Sequence, residues 1–156
     1  MTNKAELLLR WYRPEDGQQL VDMYACCFPE EDWQLVDLKR FSDKTGQVNI
    51  IKCLVDTNGI LHGSLFYTLT PKLCRIRRIT VCPEQRRNGL ACFMLHTLCG
   101  PQSLIRSKHF QVKIREDNLA AINLFSKKMH FTFDAQVPRQ RDKSKQVDFY
   151  EFNLTR

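Results

Sequence analysis

The run LCRIRRITVCPEQRRNGLA, residues 73–91, constrains the fold more than any other part of the chain. Its first half alternates as a strand does, but the parity changes midway. Cys74 and Ile76 fall on one face, whereas Ile79 and Val81 fall on the opposite parity. One extra residue near Arg77-Arg78 returns both pairs to the same face, which is the signature of a β-bulge. Pro83 closes the strand, Asn88-Gly89 signals a turn, and Leu90, Met94, Leu95 and Leu98 then recur at helical spacing. A kinked strand therefore leads through a basic, glycine-containing loop into a helix N-terminus. Such a terminus presents unpaired backbone N–H groups at the positive end of the helix dipole. With Arg86 and Arg87 beside it, it favours an anion, and a phosphate best of all.

The elements around this unit read as a mixed α/β sheet domain. Leu7 to Tyr12 form a first strand, and Leu20, Val21, Tyr24, Ala25 and Phe28 mark one face of a helix. Pro29 and the acidic residues Glu30, Glu31 and Asp32 suit a break and the first turn of a second helix, carrying Trp33, Leu35, Leu38 and Phe41. Two β-rich runs flank Asn58-Gly59, a strong hairpin signal. After the helix from Leu90 comes the strand FQVKI, then a helix with Ala121, Leu124, Phe125 and Met129 inward, then two closing strands around a basic loop. The order β-α-α-β-β-β-α-β-α-β-β contains no repeat and no linker, and residues 1–156 are expected to form a single domain.

The net charge of +7 is local. Residues 72–87 carry +5 and residues 139–145 carry +3 (Arg139, Arg141 and Lys143, Lys145 against Asp142), leaving the remainder near neutral. A footprint of this kind suits an anionic ligand, or nucleic acid at the second window. The seven cysteines show no CxxC pair and no metal-ligand spacing with the four histidines, so no metal is expected. Reduced thiols, no signal peptide and no membrane span point to a cytoplasmic protein.

Two blocks resemble the GCN5-related N-acetyltransferase (GNAT) superfamily. The family pattern Arg/Gln-x-x-Gly-x-Gly/Ala after a V-x-P strand end corresponds here to Arg86, Gly89 and Ala91 after Val81 and Pro83. The second block, Asn-x-x-Ala with an aromatic and a closing Gly-Phe, corresponds to Asn118, Ala121, Phe125 and His130-Phe131. Neither a Gly-Lys-Ser/Thr P-loop nor a GxGxxG dinucleotide fingerprint is present. The resemblance, nearest in look to the ribosomal-protein-alanine N-acetyltransferases, implies a mostly antiparallel sheet splayed between its fourth and fifth strands, with about four flanking helices.

The same resemblance implies acetyl-CoA as donor. Its pyrophosphate would lie on the backbone N–H groups of Arg87, Asn88, Gly89, Leu90 and Ala91, and its pantetheine would lie along Ile79, Thr80 and Val81, near Asn118 and Phe125. Arg86 and Arg87 would add charge. An N–H near Val81 would hold the oxyanion of the thioester carbonyl. The implied partner is a primary amine, a peptide or protein N-terminus first and a small polyamine second; a monomer or homodimer with no membrane role is expected. Two rival readings stand beside it, a non-catalytic CoA-binding module and a nucleic-acid- or ribosome-binding protein using Arg139 to Lys145. The family's acid–base pair does not carry over, because Phe125 stands where a tyrosine acid is usual and Lys113 where a glutamate base is usual. Candidate replacements are Tyr67, Tyr150 and the acidic loop with Glu31, with Glu151 a further carboxylate. Arg75 and Arg77 share a strand face that would suit an acidic substrate.

Overall fold

The computed structural model describes residues 6–142 and 147–156, with side chains outside 135–148. Of the basic loop expected from Arg139 to Lys145, residues 139–142 continue a strand and residues 143–146 lie outside the described residues. Seven strands form one sheet in the order β1-β2-β3-β4-β5-β7-β6. They are β1 (Leu8–Trp11), β2 (Val48–Val55), β3 (Leu61–Leu69), β4 (Cys74–Val81), β5 (His109–Arg115), β6 (Thr132–Asp142) and β7 (Val147–Thr155). All neighbours pair antiparallel except β4 and β5, which are parallel and joined by the crossover helix α3 (Leu90–Cys99). The element order and the mixed α/β class are those expected from the sequence.

Each face of the sheet carries its own core. On one face α3 and α4 (Leu119–Asn123) bury Leu90, Met94, Leu95 and Phe125 against Leu65, Ile76 and Phe110. On the other, α1 (Gly17–Cys27) and α2 (Leu35–Asp43) bury Leu20, Tyr24 and Leu38 against Ile51, Cys53 and Phe66. The bulge lies at its expected place. Phe66 pairs with Arg78 and Tyr67 with Ile76, so Arg77 is the extra residue. Ile79 and Val81 thereby join Cys74 and Ile76 on the α3 side. The β2–β3 hairpin turns at Asn58-Gly59, where Gly59 has φ +78° and Asp56 accepts the Asn58 and Ile60 N–H groups at 2.8 and 3.0 Å.

Three local expectations need correction. Met23, not Ala25, completes the buried stripe of α1, because the helix begins at Gly17 and Ala25 falls on the solvent side. The acidic residues do not begin the second helix. Pro29–Glu31 make a separate 3-10 turn, Asp32 turns left-handed at φ 47°, and α2 starts only at Leu35, which is exposed. Trp33 is thus released from a helix and turns inward onto Tyr24 and Phe66, with ring centroids 5.1 and 6.0 Å away. The helix after Asn118 is α-helical only to Asn123, and continues as a π-turn over Leu124–Lys128 that sets Phe125 edge-on to Phe131 at 5.2 Å.

Candidate active site

β4 and β5 pair at only three rungs, Cys74 with Phe110, Arg75 with Gln111 and Ile76 with Val112. Beyond the last rung, the bulge at Arg77 bends β4 away and the facing strand edges no longer pair with each other. The gap is a cleft of about 930 Å³. Its walls are the strand segments 76–79 and 112–115, Asn118 and Phe125 of the α4 region on one side, and Phe28, Glu30 and Glu31 on the other. Two open strand edges can accept an extended ligand as an additional strand, with backbone donors and acceptors already in place.

At the wide end of the cleft, β4 continues through a 3-10 turn at Pro83–Gln85 to α3. Arg87 and Gly89 are both left-handed, at φ 69° and 72°. Gly89 is the N-cap residue and no side chain caps the helix. The first-turn N–H groups of α3 therefore face outward at the positive end of the dipole, the arrangement that binds a phosphate. Arg86 folds back, its Nε donating to the Val81 carbonyl at 3.3 Å and an Nη lying 3.4 Å from Cys27 Sγ. Arg87 is exposed.

The α1–α2 loop is tied to β4 by one residue. Arg78 donates twice to Glu31, at 2.7 and 3.1 Å, and its guanidinium lies over the rings of Phe28, Trp33 and Tyr24 at 4.6, 5.2 and 5.5 Å. Trp33 Nε1 donates to the same carboxylate at 3.1 Å. No local sequence signal announces this box, because it joins residues 45 or more apart in a register set by the bulge.

The other candidates divide clearly. Ile79, Asn118 and Phe125 line the cleft, and Asn118 also caps α4 by accepting the Ala121 N–H at 3.2 Å. Thr80 is buried on the α1 side near Ser64 and Tyr24, with its Oγ1 unpartnered among the described residues. Of the candidate acid–base groups, those of the acidic loop, Glu30 and Glu31, line the cleft. Tyr67 is 3% exposed in the α3 core, where burial pushes its hydroxyl far above the usual range. Tyr150 packs edge-on against Phe133 at 5.4 Å on the same core side. Glu151 is opposite Lys113 in the β5–β7 ladder. His130, where the family pattern has glycine, is left-handed at φ 61°, which explains that glycine. Burial pushes Cys82 up to about 11, away from a nucleophile's range.

The sequence profile of the acetyltransferase (GNAT) family matches residues 17–131. No curated protein sequence matches the chain. Solved structures match it over nearly its whole length at low identity. The ribosomal-protein-S18-alanine N-acetyltransferase from Escherichia coli superposes with TM-score 0.76 at 15% identity, covering 96% of this chain and 93% of that one. Arabidopsis thaliana NAA60, solved with a bisubstrate analogue, gives 0.74 at 17%, covering 96% and 97%. A spermidine N-acetyltransferase variant from Vibrio cholerae gives 0.74 at 14%, covering 97% and 94%.

Proposed function

The chain belongs to the acetyltransferase (GNAT) family, and from that premise we propose that it transfers the acetyl group of acetyl-CoA directly to a primary amine at a peptide or protein N-terminus. The observation that carries this reading is the three-rung seam between β4 and β5, opening toward the uncapped helix at Gly89. Diphosphate on the α3 N-terminus leaves the pantetheine arm to run down the open edges toward Arg77. The acceptor then enters from the α1–α2 side, past Phe28 and Glu31. Seven free thiols fit a reducing compartment, the cytoplasm.

In this reading the chain contributes alignment and polarisation more than strong acid–base groups. Backbone N–H groups on the β4 edge between Ile79 and Val81 polarise the donor's carbonyl, and the cleft holds the neutral amine in line with it. The amine nitrogen forms the new C–N bond, the C–S bond breaks, and the amine's proton is relayed to the departing thiolate. That thiolate is stable enough to leave with little help, since a free thiol titrates at about 8.5. Glu31, one of the carboxylates lining the cleft, would take the amine's proton through water in this reading. The two hydrogen bonds it accepts from Arg78 also reduce the negative charge of the acidic loop, which disfavours a polyamine.

Phe125 has no proton to give, and this favours the alternative of a CoA-binding module without turnover. Mass-spectrometric acetyl transfer to a mixed panel separates the readings. Peptides with a free N-terminus are expected to gain one acetyl group, whereas blocked peptides with internal lysine and polyamines are not. Acetylated polyamine would overturn the acceptor assignment. Tight CoA binding without any transfer would replace the enzyme with the module.

A further inference from the structure

Among the described residues, the narrow end of the cleft carries positive charge with no carboxylate paired to it. The first residue past the last rung is a cation on both strands, Arg77 on β4 and Lys113 on β5, and both line the cleft. Arg75 shares this side of the sheet, its Nε donating to Gln111 Oε1 at 3.0 Å. Among the described residues no carboxylate lies within 4.0 Å of any of the three. Glu151, opposite Lys113 in the ladder, lies beyond that distance. The neighbouring Arg78 and Arg115, by contrast, each hold a carboxylate at 2.7 and 2.8 Å.

Arg77 is also held in position. Its Nε donates to Thr68 Oγ1 at 3.0 Å, and Thr68 in turn donates to Asn49 Oδ1 at 2.6 Å. Thr68 and Asn49 are 2% and 9% exposed. Each donor in this relay points away from the cleft. The relay therefore fixes the guanidinium while supplying no negative charge, and both Nη groups have no hydrogen-bond partner among the described residues. Burial and the neighbouring Arg75 both lower the Arg77 pKa from its usual value, as expected for a cation that lacks a counter-ion.

The donor's diphosphate is not the missing anion. Four steps of β4 at about 3.3 Å each, roughly 13 Å in all, separate Arg77 from Val81, and the chain passes through the further turn at Pro83–Gln85 before α3 begins. We propose that the accepted N-terminus carries an acidic side chain within its first residues, and that Arg77 and Lys113 bind that carboxylate while the amine faces the thioester. This deepens the N-terminal acceptor reading above and rests on it. A polycation would meet two unneutralised positive charges here.

The test is a set of peptides identical except at the second residue, which is Glu, Gln or Lys, with kcat/KM measured for each. The wild-type protein should prefer Glu over Gln by about tenfold, the usual worth of a hydrogen-bonded charge pair, and Lys should be poorest. Arg77→Gln and Lys113→Gln should each pull the Glu:Gln ratio toward one. Lys113→Glu should invert the order in favour of Lys. Thr68→Val, which frees Arg77 without removing its charge, should weaken the ratio only in part. Thermal melts of each variant with and without CoA establish that the fold and donor site are intact. Equal rates for the three peptides, or a Lys preference in the wild type, would overturn the acidic acceptor while leaving the N-terminal reading in place. No transfer to any peptide would overturn both.

Discussion

Replacing Gly89 with valine is expected to weaken acetyl-CoA binding by about two orders of magnitude, the cost of losing two charge-assisted hydrogen bonds to phosphate. Gly89 is the N-cap of α3 at φ 72°. A side chain there has two consequences. The left-handed conformation costs a non-glycine residue about 1–2 kcal/mol, and a β-branched one more. The added carbons also stand where a diphosphate must approach the bare N–H groups of the first turn. The strain alone is small against the stability of a domain this size, roughly 5–15 kcal/mol, so the protein still folds. Gly89→Ala separates the two effects, since it brings the strain with little bulk and should weaken binding by only about tenfold. Isothermal titration of both variants, with melting temperatures measured without ligand, checks the result. Unchanged affinity in the valine variant would remove the diphosphate from α3.

The largest effect on stability is expected at Asp16. Its carboxylate accepts two bonds from Arg10 at 2.7 and 3.0 Å and the Arg13 N–H at 2.8 Å, and it is 3% exposed. The pair clasps β1 to the start of α1 ahead of the second core. Asp16→Ala leaves Arg10 without its partner in a nearly closed site, at a cost of about 3 kcal/mol. The interaction is also pH-dependent. Arg10 holds the Asp16 carboxyl below its ordinary value of 3.8, the hydrogen bond being the largest cause. A group depressed in the folded state stabilises fully above its unfolded pKa and loses that contribution as the pH falls through the folded value. In urea denaturation the gap between wild type and Asp16→Asn should therefore hold at neutral pH and close progressively below 3.8. A gap that stays constant to the lowest pH would show that the clasp acts by shape alone.

What the sequence made legible follows from how local each signal is. The parity change between Ile76 and Ile79, the Asn58-Gly59 turn and the apolar spacing after Gly89 involve neighbours within a few residues, and each appears where expected. The half of the cleft proposed for the donor is built from such signals. The acceptor half is not. Trp33 and Leu35 fit a helical period, but the left-handed Asp32 delays the helix and sends Trp33 into the box around Arg78. The relay from Arg77 through Thr68 to Asn49 crosses three strands whose register no single segment encodes. Lys113 reads in sequence only as a lost glutamate, and its meaning comes from standing opposite Arg77 at the first unpaired position. Tyr67 and Tyr150 lie on strands from which either could reach the centre of the sheet. The sheet turns both toward the core.

The three-rung seam has a consequence for the molecule as a whole. The strands β1 to β4 and the strands β5 to β7 are two hydrogen-bonded blocks, joined across the sheet by few backbone bonds and otherwise by side-chain packing beneath α3 and α4. In the function proposed above, a donor lying along both open edges would act as a structural strand as well as a reactant. Its supply then governs how often the blocks part, since a ligand at a hundred times its dissociation constant adds about 2.7 kcal/mol to the folded state. Amide exchange at Ile79 and Ile114 should accordingly slow when acetyl-CoA is added, and rates unaffected by the donor would show that the seam holds without it. On that reading a shortage of acetyl-CoA would leave this protein in a looser form, so that its lifetime, and not only its turnover, would follow the donor supply.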